Sequence, residues 1–313
     1  MYDIIVIGAG PAGLAAAAYT AHHQLKTLII APDLAGKARF RLRLPWLMQR
    51  EQILGEETVE QLREQLLSSP YATRYLDVVE QVFQHDQALQ VITGEGGAFG
   101  AGAVIVATGV RPRTLGVPGE QRLLGHGVSY SATSHAPLFA GRQVLVVGND
   151  LRALRAAAEL RAIARQVTLV VPDAVGLGGS RLGQTLMGDE RVSVLAPATV
   201  LEISGDTSVS GVLVSRADGS TQQLDADGVF IECGLDVPSG FLGTLVERSD
   251  TGHVVVNERC ATRCPCLFAA GDITSTAYAE QTLIALGEGT KAGISACEYL
   301  REGVLLHQQE TAR

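Results

Sequence analysis

The sequence predicts an α/β protein of two Rossmann-like dinucleotide-binding domains, the second inserted into the first. Two turns, at 8–13 and 148–153, each follow an apolar strand-like run and open an alanine-rich helix. Strand-like and helical runs alternate along the 313 residues, which is typical of a doubly wound fold and leaves length for two cores. We predict one domain over 1–114 and 246–313 and an inserted domain over 115–245.

Composition and charge exclude several classes of function. The chain is 46% hydrophobic and 19% charged, and its net charge of −8 argues against general nucleic-acid binding. No apolar run approaches the roughly 18 residues that span a bilayer, so we expect no membrane partner. We expect a cytoplasmic protein, because no basic or cleavable leader precedes the first strand-like run. Five cysteines, an odd number, also do not make a secreted disulfide framework.

The first βαβ unit begins at the N-terminus. An apolar run at 3–7 leads through a glycine turn into a helix to about His22, and a second strand follows at 27–30. Residues 58–68 are predicted to form an amphipathic helix, because apolar residues recur there at helical spacing. Another apolar strand, at 104–106, ends in a small-residue turn.

A second βαβ unit begins at about residue 143. Its strand at 143–147 is followed by a helix to about Arg165 and by a return strand at 167–171. A further strand at 267–270 belongs to the C-terminal part of the first domain in this prediction. Two such units in one chain indicate a duplicated architecture.

Four cations alternate with apolar residues between the second strand and the amphipathic helix. The pattern predicts a strand with all four on one face, which is either a docking patch for an acidic partner or a solvated face. The cations are Lys37, Arg39, Arg41 and Arg43.

The first glycine turn has the GxGxxG pattern in the context that gives it meaning. Gly8 permits the tight turn, Gly10 lets the backbone approach a pyrophosphate, and Gly13 allows close packing of helix on strand. The helix that begins here at Pro11 and Ala12 points its positive end at the phosphates. The sequence therefore predicts a dinucleotide site at this turn.

The motifs together resemble low-molecular-weight thioredoxin reductases over almost the whole chain. The resemblance rests on the turn at 8–13, on 107–113 with 117–120, on 268–272 and on 287–289. It implies a homodimeric oxidoreductase that binds FAD, with Asp272 near the ribityl or pyrophosphate group and Gln281 and Thr282 near the flavin ring. The FAD contacts that it implies are Gly8, Gly10, Pro11, Ala12, Gly13, Asp33, Gly36, Lys37, Ala107, Thr108, Gly109, Gly271, Asp272, Gln281 and Thr282.

The first site departs from the family at three places. Ala31 stands where the family has an acid for the adenosine ribose, and Asp33 either replaces that acid or belongs to a turn. Lys37 lies where the family has a second glycine, and Glu280 replaces an arginine next to the ring. The loss of one cation and the gain of another act in opposite directions on the flavin's potential.

In the loop of this chain that resembles the family's disulfide-exchange loop, serines stand in place of both cysteines. Ser131 and Ser134 stand in their places, and a hydroxyl is hardly ionised near neutral pH and forms no disulfide. His135 occupies the position of the family's acid, so it is either a general acid near pH 7 or an ordinary loop histidine. The joint change favours natural divergence over an engineered pair of serines.

The second turn departs from the family's NADPH motif twice. Asp150 replaces its middle glycine, which brings a carboxylate to where phosphates would lie, although the same residue is a good helix N-cap. Asp173 stands where an arginine pair would hold the 2′-phosphate. NADPH is therefore not the expected reductant. Either the site is empty and a protein such as ferredoxin donates electrons, or it holds another dinucleotide, such as a second FAD.

A second dinucleotide would be held by Gly148, Asn149, Asp150, Arg152 and Asp173. Arg152 and Arg155 lie in the first turns of the helix and either pair with phosphates or belong to a solvated face with Glu159.

Three cysteines cluster before the last predicted strand and are candidate redox residues. Cys260 and Cys264 are close enough for a loop disulfide, and Arg259 and Arg263 beside them favour thiolate. With Cys266 they make three thiols, but a fourth metal ligand is not evident, so no metal is expected. The cluster is either a redox relay or a set of buried thiols.

The functional hypothesis is an FAD-dependent oxidoreductase that passes electrons from a protein donor or a second flavin to a disulfide or small acceptor. The alternatives are a flavin-binding redox sensor without turnover and an NAD(P)H-dependent flavin reductase.

Overall fold

A computed structural model describes residues 1–34, 36–39, 42–47, 56–85, 88–173, 175–277 and 279–311. The chain forms two compact units. Unit 1 comprises Met1–Arg39, Gln52–Arg111 and Val237–Arg313, and unit 2 comprises Phe40–Glu51 and Pro112–Asp236. The sequence assigned all of 40–51 to the first domain, whereas the segment 42–47 packs in the core of unit 2.

The secondary structure alternates as the sequence predicts. The strands are β1 (Tyr2–Ile7), β2 (Thr27–Ile30), β3 (Ala72–Tyr75), β4 (Val79–His85), β5 (Ala88–Thr93), β6 (Ala98–Val106), β7 (Arg111–Pro112), β8 (Val128–Ser129), β9 (Gln143–Val147), β10 (Gln166–Val170), β11 (Val192–Leu195), β12 (Ala198–Ser204), β13 (Gly211–Arg216), β14 (Thr221–Asp225), β15 (Gly228–Ile231), β16 (Leu235–Asp236) and β17 (Leu267–Ala269). The α-helices are α1 (Pro11–His22), α2 (Glu56–Ser68), α3 (Ala132–His135), α4 (Leu151–Ile163), α5 (Val175–Gly178), α6 (Arg181–Met187) and α7 (Thr282–Thr311), and short 3-10 helices occur at Gly36–Arg39, Ala136–Phe139 and Gly240–Leu242.

The main sheet of unit 1 has the strand order β3-β2-β1-β6-β5-β4, and β17 also pairs with β6. β1, β2, β3, β6 and β17 run parallel, and β5 is antiparallel to both β4 and β6. Ile4–Ile7 of β1 and all of β2 are buried, and these segments are largely apolar because both faces of the inner strands are covered. The register pairs Ile7 with Val106 and Val106 with Ala269. The turns that follow β1, β6 and β17 therefore meet at one edge.

Helix α1 lies unusually close to helix α7. A Cβ on Gly289 would lie 2.0 Å from the carbonyl oxygen of Ala12, so only glycine fits at this crossing. The alanine-rich sequence of α1 has the same effect, because small side chains bring backbones together. This contact fixes the start of α1 against α7.

Unit 2 contains a parallel sheet of order β11-β10-β9-β15-β8 and an antiparallel sheet of order β12-β13-β14. Val147, at the end of β9, pairs with Val170 and with Ile231. The loops after β9, β10 and β15 therefore share one edge, as the second βαβ unit predicts. β7 and β16 form a separate two-stranded sheet.

The prediction of a cationic strand is wrong for the part that the structure describes. Gly36–Arg39 is a 3-10 helix, because Gly36 adopts φ +56 and donates its N–H to Asp33 Oδ1, which closes a turn. Arg43 also lies outside any strand, and Arg41 lies outside the described residues. In the described part of the chain, no helix is long and apolar enough to cross a bilayer.

Candidate functional site

The turn between β1 and α1 needs two of its glycines for its own packing. Gly8 has φ +103, and a Cβ there would lie 2.4 Å from the carbonyl oxygen of Ala107. A Cβ on Gly13 would lie 1.9 Å from the carbonyl oxygen of Gly8. Real Cβ atoms do not approach so closely, so any side chain would force the turn away from β6.

Gly10 differs, because the protein itself leaves space there. Apart from its chain neighbours, no atom of the described residues lies within 4 Å of a Cβ placed on Gly10, and its φ of −73 suits any residue. Gly10 is the N-cap of α1 and has no side chain to bond the N–H groups of the first turn, which begins at Pro11 and Ala12. The space next to these N–H groups, at the positive end of α1, suits a phosphate.

The turn after β6 contributes a polar atom that lacks a protein partner. Thr108 Oγ1 is buried and makes no hydrogen bond with the described residues. Gly109 follows with φ +64 and open space around its Cβ position. A buried hydroxyl without a partner costs free energy, so this atom fits a bound ligand with polar groups. The residues at this edge therefore fit a dinucleotide.

The turn after β17 is held by a residue that the sequence analysis missed. Glu288 Oε2 accepts a hydrogen bond of 2.8 Å from the N–H of Gly271, and burial raises the pKa of this carboxyl. Gly271 has φ +76, and a Cβ there would lie 2.9 Å from Cβ of Ala12. Glu288 belongs to the motif at 287–289, and its place in that motif of the resemblance is the signal that could have found it.

Lys37 forms ion pairs with two carboxylates at this edge. Its Nζ lies 2.7 Å from Asp272 Oδ2 and 3.5 Å from Glu280 Oε2. Glu280 has φ +48, and Gln281 Nε2 donates to the carbonyl of Ala279 just before α7 begins at Thr282. Lys37 thus brings one cation to a carboxylate-rich turn.

The exchange loop of unit 2 is a capped single helical turn. Ser131 is the N-cap of α3, and its Oγ accepts from the N–H of Ser134 and donates to Ser134 Oγ over 3.1 Å. The two serine hydroxyls therefore bond each other at the positions for which the resemblance implies thiols. Within the described part of the chain, neither hydroxyl is hydrogen-bonded to a base that would make it a nucleophile.

The structure does not support His135 as a general acid near pH 7. Burial lowers the pKa of His135 to about 4, and its Nδ1 lies 2.8 Å from Ser129 Oγ. The ring is therefore neutral at pH 7 and has no imidazolium proton to donate. Of the two alternatives for His135, the enclosure of the ring favours the ordinary loop histidine, and sequence position alone did not reveal that enclosure.

A buried carboxylate connects the exchange loop to helix α4, and the sequence analysis missed it. Glu232, with 3% of its side chain exposed, accepts from Nε of Arg152 over 2.5 Å and from the N–H of Ala132 over 2.9 Å. Arg152 also donates to the carbonyl of Tyr130, whose hydroxyl donates to the buried Glu120. The charge of Arg152 is therefore balanced by the carboxylate of Glu232, and its side chain is not a solvated one.

The second turn caps its own helix. Asp150 is the N-cap of α4, and its Oδ1 accepts from the N–H of Ala153 over 3.0 Å, as the N-cap alternative predicts. Gly148 has φ +147, and a Cβ there would lie 2.4 Å from the carbonyl oxygen of Glu232. Asn149 Nδ2 lies 3.5 Å from Asp173 Oδ2. The carboxylates of Asp150 and Asp173 thus lie near the start of α4.

The cysteines are free thiols rather than a Cys260–Cys264 disulfide. Cys260 Sγ lies 3.6 Å from the carbonyl of Glu288, whereas Cys264 and Cys266 pair with each other at 3.7 Å. Burial raises the pKa of Cys260 to about 11 and that of Cys266 to about 12, so the expectation of ready thiolates is wrong. Among the described residues, no group of three or more metal ligands occurs.

Comparison with known proteins places these features in a wider group. The family model of the pyridine nucleotide-disulphide oxidoreductases matches residues 2–289. The NADH dehydrogenase of Bacillus subtilis is 31% identical over 96% of this chain and 58% of its own length. The F subunit of alkyl hydroperoxide reductase from Xanthomonas campestris pv. phaseoli is 31% identical over 96% and 57%. The chain thus spans less than two thirds of these relatives.

Solved structures agree over almost the full length of both chains. The thioredoxin reductase of Streptococcus pyogenes superposes with a TM-score of 0.86 at 29% identity, covering 96% of this chain and 99% of the other. The thioredoxin reductase of Giardia duodenalis gives a TM-score of 0.84 at 26% identity over the same shares.

Proposed function

We propose that this chain, which belongs to the pyridine nucleotide-disulphide oxidoreductases, is an FAD-dependent oxidoreductase that does not use NADPH in the way usual for thioredoxin reductases. Electrons come instead from a protein donor of the ferredoxin kind and pass through FAD to a disulfide or a small acceptor. The single observation that carries the proposal is the ion pair of Glu232 with Arg152 beside the self-capped start of α4.

FAD fits the edge of unit 1. The space at Gly10, the first turn of α1 and the unpartnered Thr108 hydroxyl are the features that would hold it, together with Asp272. When bound, FAD accepts and donates electrons one or two at a time. The chain's residues bind it, orient it and surround it with charge, and Lys37 partly neutralises Asp272 and Glu280.

The start of α4 argues against a phosphate-bearing ligand in unit 2. The Asp150 carboxylate already uses an N–H of the first turn that a phosphate would bind, and its charge repels a phosphate. Arg152, the cation closest to this turn in sequence, is held by Glu232. Both features support a protein donor over NADPH and over a second FAD in this unit.

The acceptor must react without an exchange dithiol in the loop of α3. Ser131 and Ser134 bond each other and carry no thiol, so they do not relay electrons to a protein disulfide. We therefore propose that the acceptor, a disulfide or a small redox molecule, takes electrons directly at the flavin. We also propose that the protein is a homodimer, as the resemblance implies.

A second candidate is an NAD(P)H-dependent flavin reductase. It is favoured by the NADH dehydrogenase of Bacillus subtilis, which is 31% identical, and by Asp173, whose carboxylate suits a ribose 2′-hydroxyl better than a 2′-phosphate. This candidate requires that a pyridine nucleotide binds despite Asp150.

The deciding experiment is an anaerobic stopped-flow mix of the FAD-loaded protein with NADPH, NADH and reduced ferredoxin in turn. We expect flavin bleaching with ferredoxin and slow or no bleaching with either nucleotide. Fast bleaching by NADPH would overturn the proposal, and fast bleaching by NADH alone would establish the second candidate. No bleaching by any donor would favour a flavin-binding redox sensor without turnover.

The ratio of flavin to protein tests the alternative of a second flavin. We expect one FAD per chain after gentle isolation, from the visible absorbance of the released cofactor against total protein. A ratio near two would replace the protein donor with a diflavin pathway. Sedimentation analysis of the same sample tests the homodimer.

A further inference from the structure

Cys264 and Cys266 form an isolated pair of thiols in unit 1. Their Sγ atoms lie 3.7 Å apart, both residues are free, and 7% and 3% of their surfaces are exposed. At this separation the sulfur atoms are in van der Waals contact. The sulfur atoms need to approach each other by only about 1.7 Å, from 3.7 Å to the ~2.05 Å of a disulfide bond.

The backbone holds the two cysteines in a tight turn. The N–H of Cys264 donates to Thr262 Oγ1 over 3.1 Å, and its carbonyl accepts from the N–H of Leu267 over 3.0 Å. The carbonyl of Cys266 accepts from the N–H of Val104 in β6 over 2.9 Å. Two residues span at most about 7 Å between Cα atoms, so a bent chain lies within the range that a disulfide needs.

Two of the other cysteines have backbone carbonyls as partners. Cys260 contacts the carbonyl of Glu288, and Cys233 contacts the carbonyl of Val147. In the part of the chain that the structure describes, no cluster of three or more metal ligands includes Cys264 and Cys266. The turn therefore brings two thiols into contact, and this contact makes a disulfide between them accessible.

We propose that Cys264 and Cys266 are a reversible two-electron redox pair, which a small hydroperoxide oxidises to an intramolecular disulfide. One thiol, as its thiolate, attacks a peroxide oxygen, the O–O bond breaks, and the leaving oxygen takes a proton to give water or an alcohol. The second sulfur then attacks the sulfenic sulfur, the S–S bond forms, and water leaves. Two thiols and one hydroperoxide give one disulfide, one water and one water or alcohol.

The burial of the two thiols determines which oxidants can reach them and how fast they are oxidised. Because so little of either sulfur is exposed, a small oxidant reaches the pair more readily than a bulky disulfide does. Burial raises the pKa of Cys266 to about 12, so thiolate is scarce at neutral pH and oxidation is slow. The pair therefore responds to sustained oxidation and does not turn over with each flavin cycle. The proposed electron donor plays no part in this reaction.

The test is disulfide mapping of the FAD-loaded wild-type protein after treatment with hydrogen peroxide or with dithiothreitol. After denaturation and alkylation of free thiols, trypsin cuts at Arg263 and Lys291, so Cys264 and Cys266 share one peptide with no other cysteine. In the oxidised sample we expect this peptide without alkyl groups and about 2 Da lighter than its unalkylated reduced form. Dithiothreitol should restore two alkylation sites.

Three outcomes would overturn the proposal. These are two alkyl groups on this peptide after peroxide, addition of oxygen to either cysteine without the disulfide, or a disulfide to a different peptide. The variants C264S and C266S should each abolish the mass loss, whereas C260S and C297S, which remove other buried thiols, should retain it. Because the wild-type measurement decides by itself, a variant that fails to fold does not leave the proposal untested.

Discussion

Nε of Arg152 lies 2.5 Å from Oε2 of Glu232, and 3% of the Glu232 side chain is exposed. The pair joins the first turn of α4 to the end of β15, and the same carboxylate holds the N–H of Ala132 at the start of α3. The charge of Arg152, which the sequence analysis considered as a phosphate ligand, is thus neutralised by Glu232 of the same chain. This relationship is open to direct tests.

Removal of the Glu232 carboxylate should destabilise the protein. In Glu232→Ala the half-buried Arg152 loses the Glu232 carboxylate, and the Ala132 N–H loses its acceptor. We expect a loss of about 2–3 kcal/mol in the free energy of unfolding, below the roughly 3–5 typical of fully buried pairs because 26% of the Arg152 side chain is exposed. Urea unfolding of the FAD-loaded protein measures this loss.

The control Arg259→Ala breaks an exposed ion pair with Glu298 and should lower the free energy of unfolding by less than about 1 kcal/mol. Equal effects of both variants would contradict the buried pair.

Two glycines of the first turn should respond differently to alanine. Gly10→Ala meets no protein atom, so the protein should fold with nearly unchanged stability, but FAD affinity should fall about tenfold or more, about 1.4 kcal/mol. Gly13→Ala forces a Cβ against the Gly8 carbonyl and should lower the free energy of unfolding by about 2 kcal/mol or more. Fluorescence titration with FAD and thermal unfolding separate the two effects. If Gly10→Ala binds FAD like the wild type, the space at Gly10 is not the cofactor site.

Thr108→Val should weaken FAD binding without weakening the protein. The Thr108 hydroxyl is buried and, among the described residues, has no protein partner, so valine of similar shape should leave the cofactor-free protein as stable or more stable. The loss of one hydrogen bond to FAD, about 1 kcal/mol, corresponds to an affinity about fivefold lower. Thr93→Val is the matched control, because the Thr93 hydroxyl accepts from the N–H of Gly97. That variant should lose stability and keep FAD affinity; the opposite pattern would remove Thr108 from the site.

Asp150→Gly should raise the affinity of unit 2 for a dinucleotide. Glycine is a fair N-cap, so the helix should lose only a few tenths of a kcal/mol, while the repulsive carboxylate disappears. Isothermal titration with NADH and NADPH measures the change. Ser180→Gly, which removes the side-chain cap of α6, controls for the loss of a cap. Unchanged weak binding in Asp150→Gly would show that Asp150 does not exclude the ligand.

Stability should fall with acid in a window set by His135. Burial lowers the pKa of this ring from its ordinary 6.5, which the unfolded chain retains, to about 4 in the folded protein. Between these values the unfolded chain binds more protons, so stability rises with pH and is lost as pH falls from about 6.5 to about 4, by about 3 kcal/mol in full. Urea unfolding across this range should show the slope, and His135→Asn should flatten it. The same slope in that variant would assign the effect to other groups.

The sequence predicted the two parallel-sheet units and the first glycine turn because these depend on local patterns. Apolar strand runs, helical periodicity and glycines at fixed spacing act within about 30 residues, and the turn at Gly8 and Gly13 follows from sterics alone. The N-cap at Asp150 is equally local, since its partner Ala153 lies three residues away.

The sequence could not predict contacts between distant segments. Glu232 and Arg152 are separated by 80 positions and Lys37 and Asp272 by 235, and no local pattern pairs them. The prediction of a cationic strand failed for a different and local reason, because the Asp33 carboxylate closes a turn at Gly36, three residues away, that the alternation of charges did not indicate.

The sequence by itself determined the type of fold, the first glycine turn and the serines at 131 and 134, because residue identity and spacing fix these. Only the tertiary structure decided which groups are charged. Enclosure makes His135 neutral, keeps Cys266 protonated and confines Glu232 with Arg152, since the free energy of a charge depends on the atoms that replace water around it.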